Sequence, residues 1–185
     1  MYTLLLVDDE EDVIEVIERK VSWEQIGFHV VGHAGNGFKA LEMMEDMQPD
    51  VVMTDIRMPY MDGLELCSNI RQRFPATKLL LFTGFDDFEY AKEAVHLEIE
   101  EYILKPLNLA EITEVFKKLK TKLDDELNEK KNTDILKQYY AASLPVLQSN
   151  FYTTLIEGRI PENELGRYMR DYKIVLEGPY YCLSL

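Results

Sequence analysis

The sequence is poor in the residues that build disulfides and transition-metal sites. Its two cysteines, Cys67 and Cys182, are far apart and form no metal-ligand or redox pair, and none of its three histidines has ligand spacing. It also lacks an apolar run near the roughly 20 residues that a membrane span needs, and its first residues are not a secretory leader. These absences predict a cytoplasmic protein with no membrane partner.

Basic residues are the next shortage. The chain has 20 lysines and arginines against 34 aspartates and glutamates, for a net charge of −14. The imbalance is uneven, because residues 1–108 hold 22 acidic and 9 basic side chains while residues 109–185 hold 12 and 11. No part of the chain is basic enough to bind nucleic acid or an anionic membrane directly. The acidity of the first 108 residues therefore needs another explanation.

Apolar runs alternate with helical patterns along this first part. The runs lack the alternation of a half-exposed sheet, which is typical of parallel strands covered on both faces. They predict strands at 2–7, 28–34, 51–54, 78–83 and 99–104. Apolar residues at helical spacing predict helices at 12–20, 38–47, 64–74 and 88–95. The alternation predicts an α/β fold with a five-stranded parallel sheet and right-handed crossovers.

Reactive side chains follow the predicted strands where the strands end. Asp8 and Asp9 follow the first strand, Asp55 the third, Thr83 ends the fourth, and Lys105 follows the fifth. Because the carboxyl ends of parallel strands meet at one edge, we expect these side chains to converge. Carboxylates suit Mg²⁺, which is usually held by one or two of them together with phosphate oxygens. The edge is therefore a predicted magnesium site.

The same edge has the parts of a phosphoryl-transfer site. Asp55 can act as a nucleophile toward phosphorus, with Lys105 as the cation and Thr83 as a hydroxyl donor. Each residue alone has a plainer explanation: acidic residues favour helix N-termini, and Thr83 and Tyr102 are common types in strands. A purely structural explanation fits Asp55 least well. A carboxylate at the end of an apolar strand, between Thr54 and Ile56, lowers stability, so its presence favours a functional role.

Four short segments follow one another along the chain in this order: LLLVDDE, TDIRMPYMDGLEL, LFTGFDDFEYAKEAV and EYILKPL. Together they resemble the receiver domain of two-component response regulators over about 110 residues. The resemblance implies a doubly wound, flavodoxin-like sheet of order 2-1-3-4-5, Mg²⁺ as cofactor and a sensor histidine kinase as partner. It implies an autocatalytic phosphoacceptor with slow self-dephosphorylation rather than a turnover enzyme.

The resemblance also implies residue roles and two backbone features. It makes Asp55 the phosphoacceptor, Asp8, Asp9, Asp55 and the backbone carbonyl of Arg57 the Mg²⁺ ligands, Lys105 the phosphate contact, and Thr83 with Tyr102 the switch pair. It implies a cis Lys105-Pro106 bond. One departure is Glu98, which stands where related receivers usually have glycine and puts the local turn in doubt.

Longer segments narrow the subgroup. SWEQIGFHVVGHAGNGFKALE and TGFDDFEYAKEAV resemble receivers at the N-terminus of response regulators that end in an AraC-type helix-turn-helix domain. This implies control of transcription through a C-terminal DNA-binding domain that is absent from this chain. We expect a receiver at 1–108, an extended helix at 109–140 and, at 141–185, the start of a second, truncated α+β domain with helices at 144–157 and 161–172 and a strand from 180.

Three questions stay open at this point. The apolar seam of Ile112, Phe116, Leu119 and Leu123 predicts either packing on the sheet or pairing with a second copy. The oligomeric state is also open: one alternative is a homodimer that pairs through the long helix, or through the face formed by the 88–95 helix and the fifth strand. The function itself has two rivals: a non-phosphorylated pseudo-receiver that acts as an interaction module, and a Mg²⁺ phosphohydrolase, which would need an acid where Arg57 stands.

Overall fold

A computed structural model describes residues 1–83, 97–106 and 108–175. The chain divides into two compact units, of which the first is Met1–Asp124 and the second begins at Asp125. Five strands form the sheet of the first unit: β1 Tyr2–Val7, β2 Phe28–Ala34, β3 Val51–Asp55, β4 Lys78–Thr83 and β5 Glu101–Leu104. All pair in parallel, in the order β2-β1-β3-β4-β5. The predicted fold class is confirmed.

The described helices lie close to their predicted positions, with one exception discussed below. They are α1 Glu11–Lys20, α2 Gly37–Met47, α3 Gly63–Arg73, α4 Leu109–Ile156 and α5 Glu162–Asp171, with a short 3-10 helix at Trp23–Ile26. The helix predicted at 88–95 and the strand predicted from 180 lie outside the described residues. No helix in the described ranges is long and apolar enough to cross a membrane.

Both faces of the sheet are buried. In β1, Leu4 and Leu6 point into one apolar cluster and Leu5 and Val7 into another, as the two-residue period of a strand requires. The first cluster packs the sheet against α1 and the start of α4, and the second packs it against α2 and α3. Central strands covered in this way can present polar side chains to water only at their ends.

Helix starts are fixed by carboxylate and amide side chains. Asn36 Oδ1 accepts a hydrogen bond from Lys39 N at 2.9 Å at the start of α2, and Asp62 Oδ1 accepts one from Glu65 N at 2.7 Å at the start of α3. The start of α1 has no side-chain cap of this kind, and Asp8 Oδ1 instead accepts from Glu10 N at 2.8 Å.

The long helix corrects one prediction. The sequence predicts separate helices at 109–140 and 144–157, whereas α4 is continuous from Leu109 to Ile156 with Pro145 inside it. Ala141 and Ala142 are strong helix formers, so the chain stays helical up to the proline, which then removes only one backbone hydrogen bond. Its apolar seam at 112, 116, 119 and 123 is buried in the first cluster, so packing on the sheet is confirmed for that stretch.

The second unit has its own small aromatic cluster. Phe151 of α4 is buried and its ring contacts those of Tyr168 and Tyr172, and Gln148 Nε2 donates to the Tyr172 carbonyl at 2.9 Å. The turn between α4 and α5 contains Gly158 at φ 66°. The domain limits expected at 108/109 and 140/141 stay predictions.

The turn before β5 shows how this chain manages without the expected glycine. Glu98 has φ 50°, in the left-handed region that favours glycine. The Arg71 guanidinium donates to the carbonyls of Leu97 at 3.1 Å and Glu98 at 3.0 Å, which holds the turn from α3. The Lys105-Pro106 bond is cis, as the resemblance implies.

Candidate functional site

Three carboxylates meet at the carboxyl edge of the sheet. Asp8 and Asp9 follow β1, and Asp55 ends β3, the neighbouring strand in which Thr54 pairs with Val7. One carboxylate oxygen from each lies within 4.8 Å of the others. Asp8 and Asp55 are only 1% and 5% exposed, while Asp9 is exposed. The cluster is therefore closed on the protein side and open to solvent at Asp9.

Lys105 places its ammonium group between the two buried carboxylates. Its Nζ lies 3.2 Å from Asp55 Oδ2 and 3.3 Å from Asp8 Oδ2, and it lies 3.8 Å from Glu10 Oε1. The same nitrogen stands 4.8 Å from the centre of the Phe82 ring, a cation–π distance. In the described part of the chain, the Lys105 ammonium is thus shared among three carboxylates, those of Asp8, Asp55 and Glu10.

Burial is the main cause of the pKa shifts of the two carboxylates. Burial raises the pKa of Asp8, an effect that the attraction of Lys105 only partly offsets, and the charge of Asp55 raises it further. Burial likewise raises the pKa of Asp55, again against the attraction of Lys105. Burial alone would lower the pKa of Lys105, but the charges of Asp55 and Asp8 outweigh it and the pKa is raised. A second cation would therefore be favoured here.

The donor set fits a hard divalent cation. Mg²⁺ prefers oxygen ligands and keeps several waters, and this cluster offers three carboxylates with an open side at Asp9. Asp55 Oδ1 accepts a hydrogen bond from Ile56 N at 2.9 Å, so the carboxylate is oriented by its own backbone while Oδ2 faces Lys105. The residues present thus suit both a magnesium ion and an oriented nucleophile.

Three further predicted residues lie on β4, on β5 and just after β3. Thr83 ends β4 and pairs with Leu104, and its side chain lies outside the described part of the structure. Tyr102 of β5 packs against the α2–α3 cluster, burial raises its pKa, and its hydroxyl has no hydrogen-bond partner among the described residues. Arg57 is exposed, two residues beyond Asp55. Their roles stay predictions.

Two residues of the site were not found from the sequence. A Cβ added to Gly63 would lie 2.0 Å from the carbonyl oxygen of Asp55, so only glycine allows α3 to start this close to the end of β3. Tyr60, in the loop after Asp55, is 88% exposed and has φ 71°. Both stand in the quoted segment TDIRMPYMDGLEL, but neither spacing nor composition indicates a close approach or a positive φ.

We expect Asp8→Asn to stabilise the metal-free first unit at pH 7 by about 1–2 kcal/mol, toward the lower end of the roughly 1–4 kcal/mol that neutral replacements of buried charges can gain. The pKa of Asp8 is raised on folding, so its stabilising contribution is complete below about pH 4 and is lost as the pH rises through the folded value. Asparagine can still accept the Glu10 N–H bond without the charge.

Urea unfolding in EDTA, followed by fluorescence, measures this effect. The single tryptophan, Trp23, is buried against Phe116 in the first unit and reports on that unit. The gain should vanish near pH 4. A gain of equal size at pH 4 and pH 7 would mean that packing, rather than the charge of Asp8, sets the difference.

Comparison with known families identifies this arrangement. Residues 4–117 match the family model described as the response regulator receiver domain. Among solved structures, the REC domain of AraT, a response regulator from Geobacillus stearothermophilus, is 36% identical with a TM-score of 0.66, covering 68% of this chain and 98% of that one. A two-component transcriptional regulator AraC from Clostridium phytofermentans is 31% identical with a TM-score of 0.63 over the same shares.

Curated relatives are longer than this chain. The transcriptional regulatory protein YesN of Bacillus subtilis is 37% identical over 137 residues, which are 74% of this chain and 37% of that protein. The transcriptional regulatory protein HptR of Staphylococcus aureus is 26% identical over 164 residues, 88% of this chain and 64% of that protein. The chain thus spans about a third to two thirds of these relatives. By its fold, its acidic cluster and this match, the chain belongs to the response regulator receiver domain family.

Proposed function

We propose that Asp55 accepts a phosphoryl group from a phosphohistidine of a sensor histidine kinase. The phosphorus–nitrogen bond of the donor breaks, a bond forms between phosphorus and an Asp55 carboxylate oxygen, and the departing imidazole takes up a proton. The observation that carries the proposal is the placement of Asp55, nearly buried at a strand end, with Asp8 and Asp9 within 4.8 Å and Lys105 at 3.2 Å.

Asp8, Asp9 and Asp55, with the backbone carbonyl of Arg57, would hold Mg²⁺ beside the phosphoryl group. When bound, the ion supplies positive charge to the phosphoryl oxygens. Lys105 already pairs with Asp55 and Asp8, so it is in place to stay with the acceptor while the phosphoryl group arrives. Thr83, at the end of β4, would donate its hydroxyl to a phosphoryl oxygen. Water would later hydrolyse the acyl phosphate slowly.

Thr83 and Tyr102 are the proposed switch pair. The phosphoryl group would draw Thr83 toward it and would favour the inward position of the Tyr102 ring, whose hydroxyl is buried in this structure. This shifts a population rather than making a new fold. Supporting this, the buried Tyr102 hydroxyl makes no hydrogen bond to any of the described residues, so none of those residues holds it by a hydrogen bond. A change from 1:99 to 99:1 requires about 5.5 kcal/mol, which several contacts to a dianion can supply.

In the longer protein, this switch would control transcription through a C-terminal DNA-binding domain. The regulators YesN and HptR support this role, since the match to each covers most of this chain. The continuous helix α4 would relay the change, either directly or by pairing with a second copy along the helix or on the β5 face.

Treatment with acetyl phosphate and Mg²⁺ tests the phosphoacceptor directly. We expect the intact protein to gain about 80 Da, the mass of one phosphoryl group, and EDTA to suppress the gain. Asp55→Asn should abolish it because the nucleophilic oxygen is lost. Asp46→Asn is the matched control, since Asp46 is an exposed aspartate on α2, and it should gain the same mass as the wild type.

Two outcomes would contradict the proposal. If the wild type gains no mass with acetyl phosphate and Mg²⁺, the pseudo-receiver alternative is favoured. If Asp55→Asn gains as much mass as the wild type, another residue is the acceptor.

A further inference from the structure

The loop after the acceptor carries an exposed tyrosine in an unusual conformation. The N–H of Gly63 donates to the carbonyl of Ile56 at 2.8 Å, which closes residues 57–62 into a short loop. Met58 and Met61 are buried beneath it, whereas the Tyr60 side chain at its tip is 88% exposed. The Met61 N–H donates to the Pro59 carbonyl at 2.9 Å across Tyr60, whose φ is 71°. These values describe a γ-turn of the positive-φ form.

This backbone conformation is unfavourable for a tyrosine. The positive-φ γ-turn is rare and strained, and a bulky residue at positive φ is an outlier where glycine or asparagine would fit more easily. The ring gains little from burial, because it stands almost wholly in water. Strained positions of this kind cluster at functional sites, so the conformation motivates a search for a use of Tyr60 outside the fold.

The position of Tyr60 is limited by the chain itself. Tyr60 is three residues from Gly63, so their Cα atoms lie within about 11 Å of each other. Gly63 in turn lies close to Asp55, since a Cβ added to it would overlap the Asp55 carbonyl oxygen. A specific protein interface covers about 800 Å² on each partner, which corresponds to a radius of roughly 16 Å. A protein that docks over Asp55 through an interface of this size therefore has Tyr60 within its reach.

We propose that Tyr60 is a docking residue for the phosphohistidine-bearing domain of the sensor kinase. This inference rests on the proposed function of Asp55. Tyrosine is enriched among the residues that dominate interfaces, since its ring offers a large contact area with few rotatable bonds. An uncharged ring is also suited to the neighbourhood of an acidic site, where further negative charge would repel an incoming phosphoryl group.

Phosphotransfer from a kinase and from acetyl phosphate separates docking from chemistry. The probe is the purified, autophosphorylated sensor kinase that transfers fastest to the wild-type chain in a profile of the kinases of its organism. Tyr60→Gly and Tyr60→Asn remove the ring and suit the positive φ, so they should fold at least as well as the wild type. Tyr60→Phe keeps the ring. Met47→Ala, at an exposed apolar residue that ends α2, is the matched control.

We expect the glycine and asparagine variants to lower kcat/KM with the kinase by about tenfold, the loss typical of an interface anchor. The phenylalanine and Met47 variants should stay near the wild type. All four should react with acetyl phosphate at nearly the wild-type rate, because Asp55 and its neighbours are unchanged.

Three results would overturn the docking role. The first is an unchanged kinase rate of the Tyr60→Gly and Tyr60→Asn variants, which would assign Tyr60 to contact with a second copy if their monomer–dimer equilibrium is altered. The others are an equal loss of rate with acetyl phosphate, and a kinase profile in which no kinase phosphorylates the wild type although acetyl phosphate labels it. Failure of acetyl phosphate to label Asp55 is a different result, since it contradicts the proposed function itself.

Discussion

Lys105→Met is expected to lower the free energy of unfolding of the metal-free first unit by about 3 kcal/mol at pH 7. Breaking a buried ion pair by removing one partner costs about 3–5 kcal/mol, because the other charge stays buried. Here two nearly buried carboxylates, Asp8 and Asp55, lose a cation at 3.3 and 3.2 Å. The lower end applies because the Lys105 side chain is itself 23% exposed. Methionine keeps an unbranched apolar chain against Phe82.

The pH and the metal should both modify this loss. Without Lys105 the raised pKa values of both carboxylates rise further, so the deficit should be small near pH 4 and grow as the pH rises. Mg²⁺ should restore part of the stability by replacing the missing charge. Lys105→Arg keeps the charge and should lose less, and Lys122→Met, which removes an exposed ion pair with Glu100, should cost under about 1 kcal/mol.

Urea unfolding followed by Trp23 fluorescence measures all three variants. An equal loss at pH 4 and pH 7 would contradict the electrostatic explanation and would assign the effect to packing against Phe82. A loss that Mg²⁺ leaves unchanged would contradict the assignment of the carboxylates to a cation site.

Gly63→Ala is expected to cost about 3 kcal/mol and to slow phosphorylation of Asp55 by at least about tenfold. The added methyl group would lie 2.0 Å from the Asp55 carbonyl oxygen and 3.0 Å from the Ile56 Cα. Both are backbone atoms, so the start of α3 or the end of β3 must move. A shift at the end of β3 displaces the acceptor carboxylate from Lys105 and from its two acidic neighbours.

Gly35→Ala provides the control for this substitution. A Cβ at Gly35 would find its nearest neighbour, the Asp8 carbonyl oxygen, at 3.9 Å, which is ordinary contact. Its unfolding free energy and its rate of labelling by acetyl phosphate should therefore stay near the wild-type values. A Gly63 variant as stable and as reactive as Gly35→Ala would show that β3 and α3 adjust without moving Asp55.

The sheet and the acidic cluster were accessible from the sequence because both follow from local rules. Apolar runs without alternation indicate buried parallel strands, and residues that follow such strands must meet at one edge. Asp8, Asp55 and Lys105 are therefore brought together by topology alone, before any distance is known. The roles of Thr83, Tyr102 and Arg57 came from the family resemblance and stay predictions.

Features that depend on single backbone contacts were not accessible. The sequence predicted separate helices at 109–140 and 144–157, yet α4 runs continuously through Pro145. A proline inside a helix removes one backbone hydrogen bond and destabilises the helix without always ending it. Tyr60 and Glu98 both have positive φ, a conformation that favours glycine and that neither residue type indicates. Arg71 compensates at Glu98 with two hydrogen bonds, a contact between α3 and a turn 26 residues later that periodicity cannot indicate.

Chemical mapping of the phosphorylated residue shows whether Asp55 is the phosphoacceptor. The full chain is treated with acetyl phosphate and Mg²⁺, the acyl phosphate is reduced with borohydride, and the peptides are sequenced by mass spectrometry. Reduction converts a phosphorylated aspartate to homoserine, and we expect homoserine at position 55. Homoserine at Asp8, Asp9 or any other aspartate, with position 55 unmodified, would contradict it.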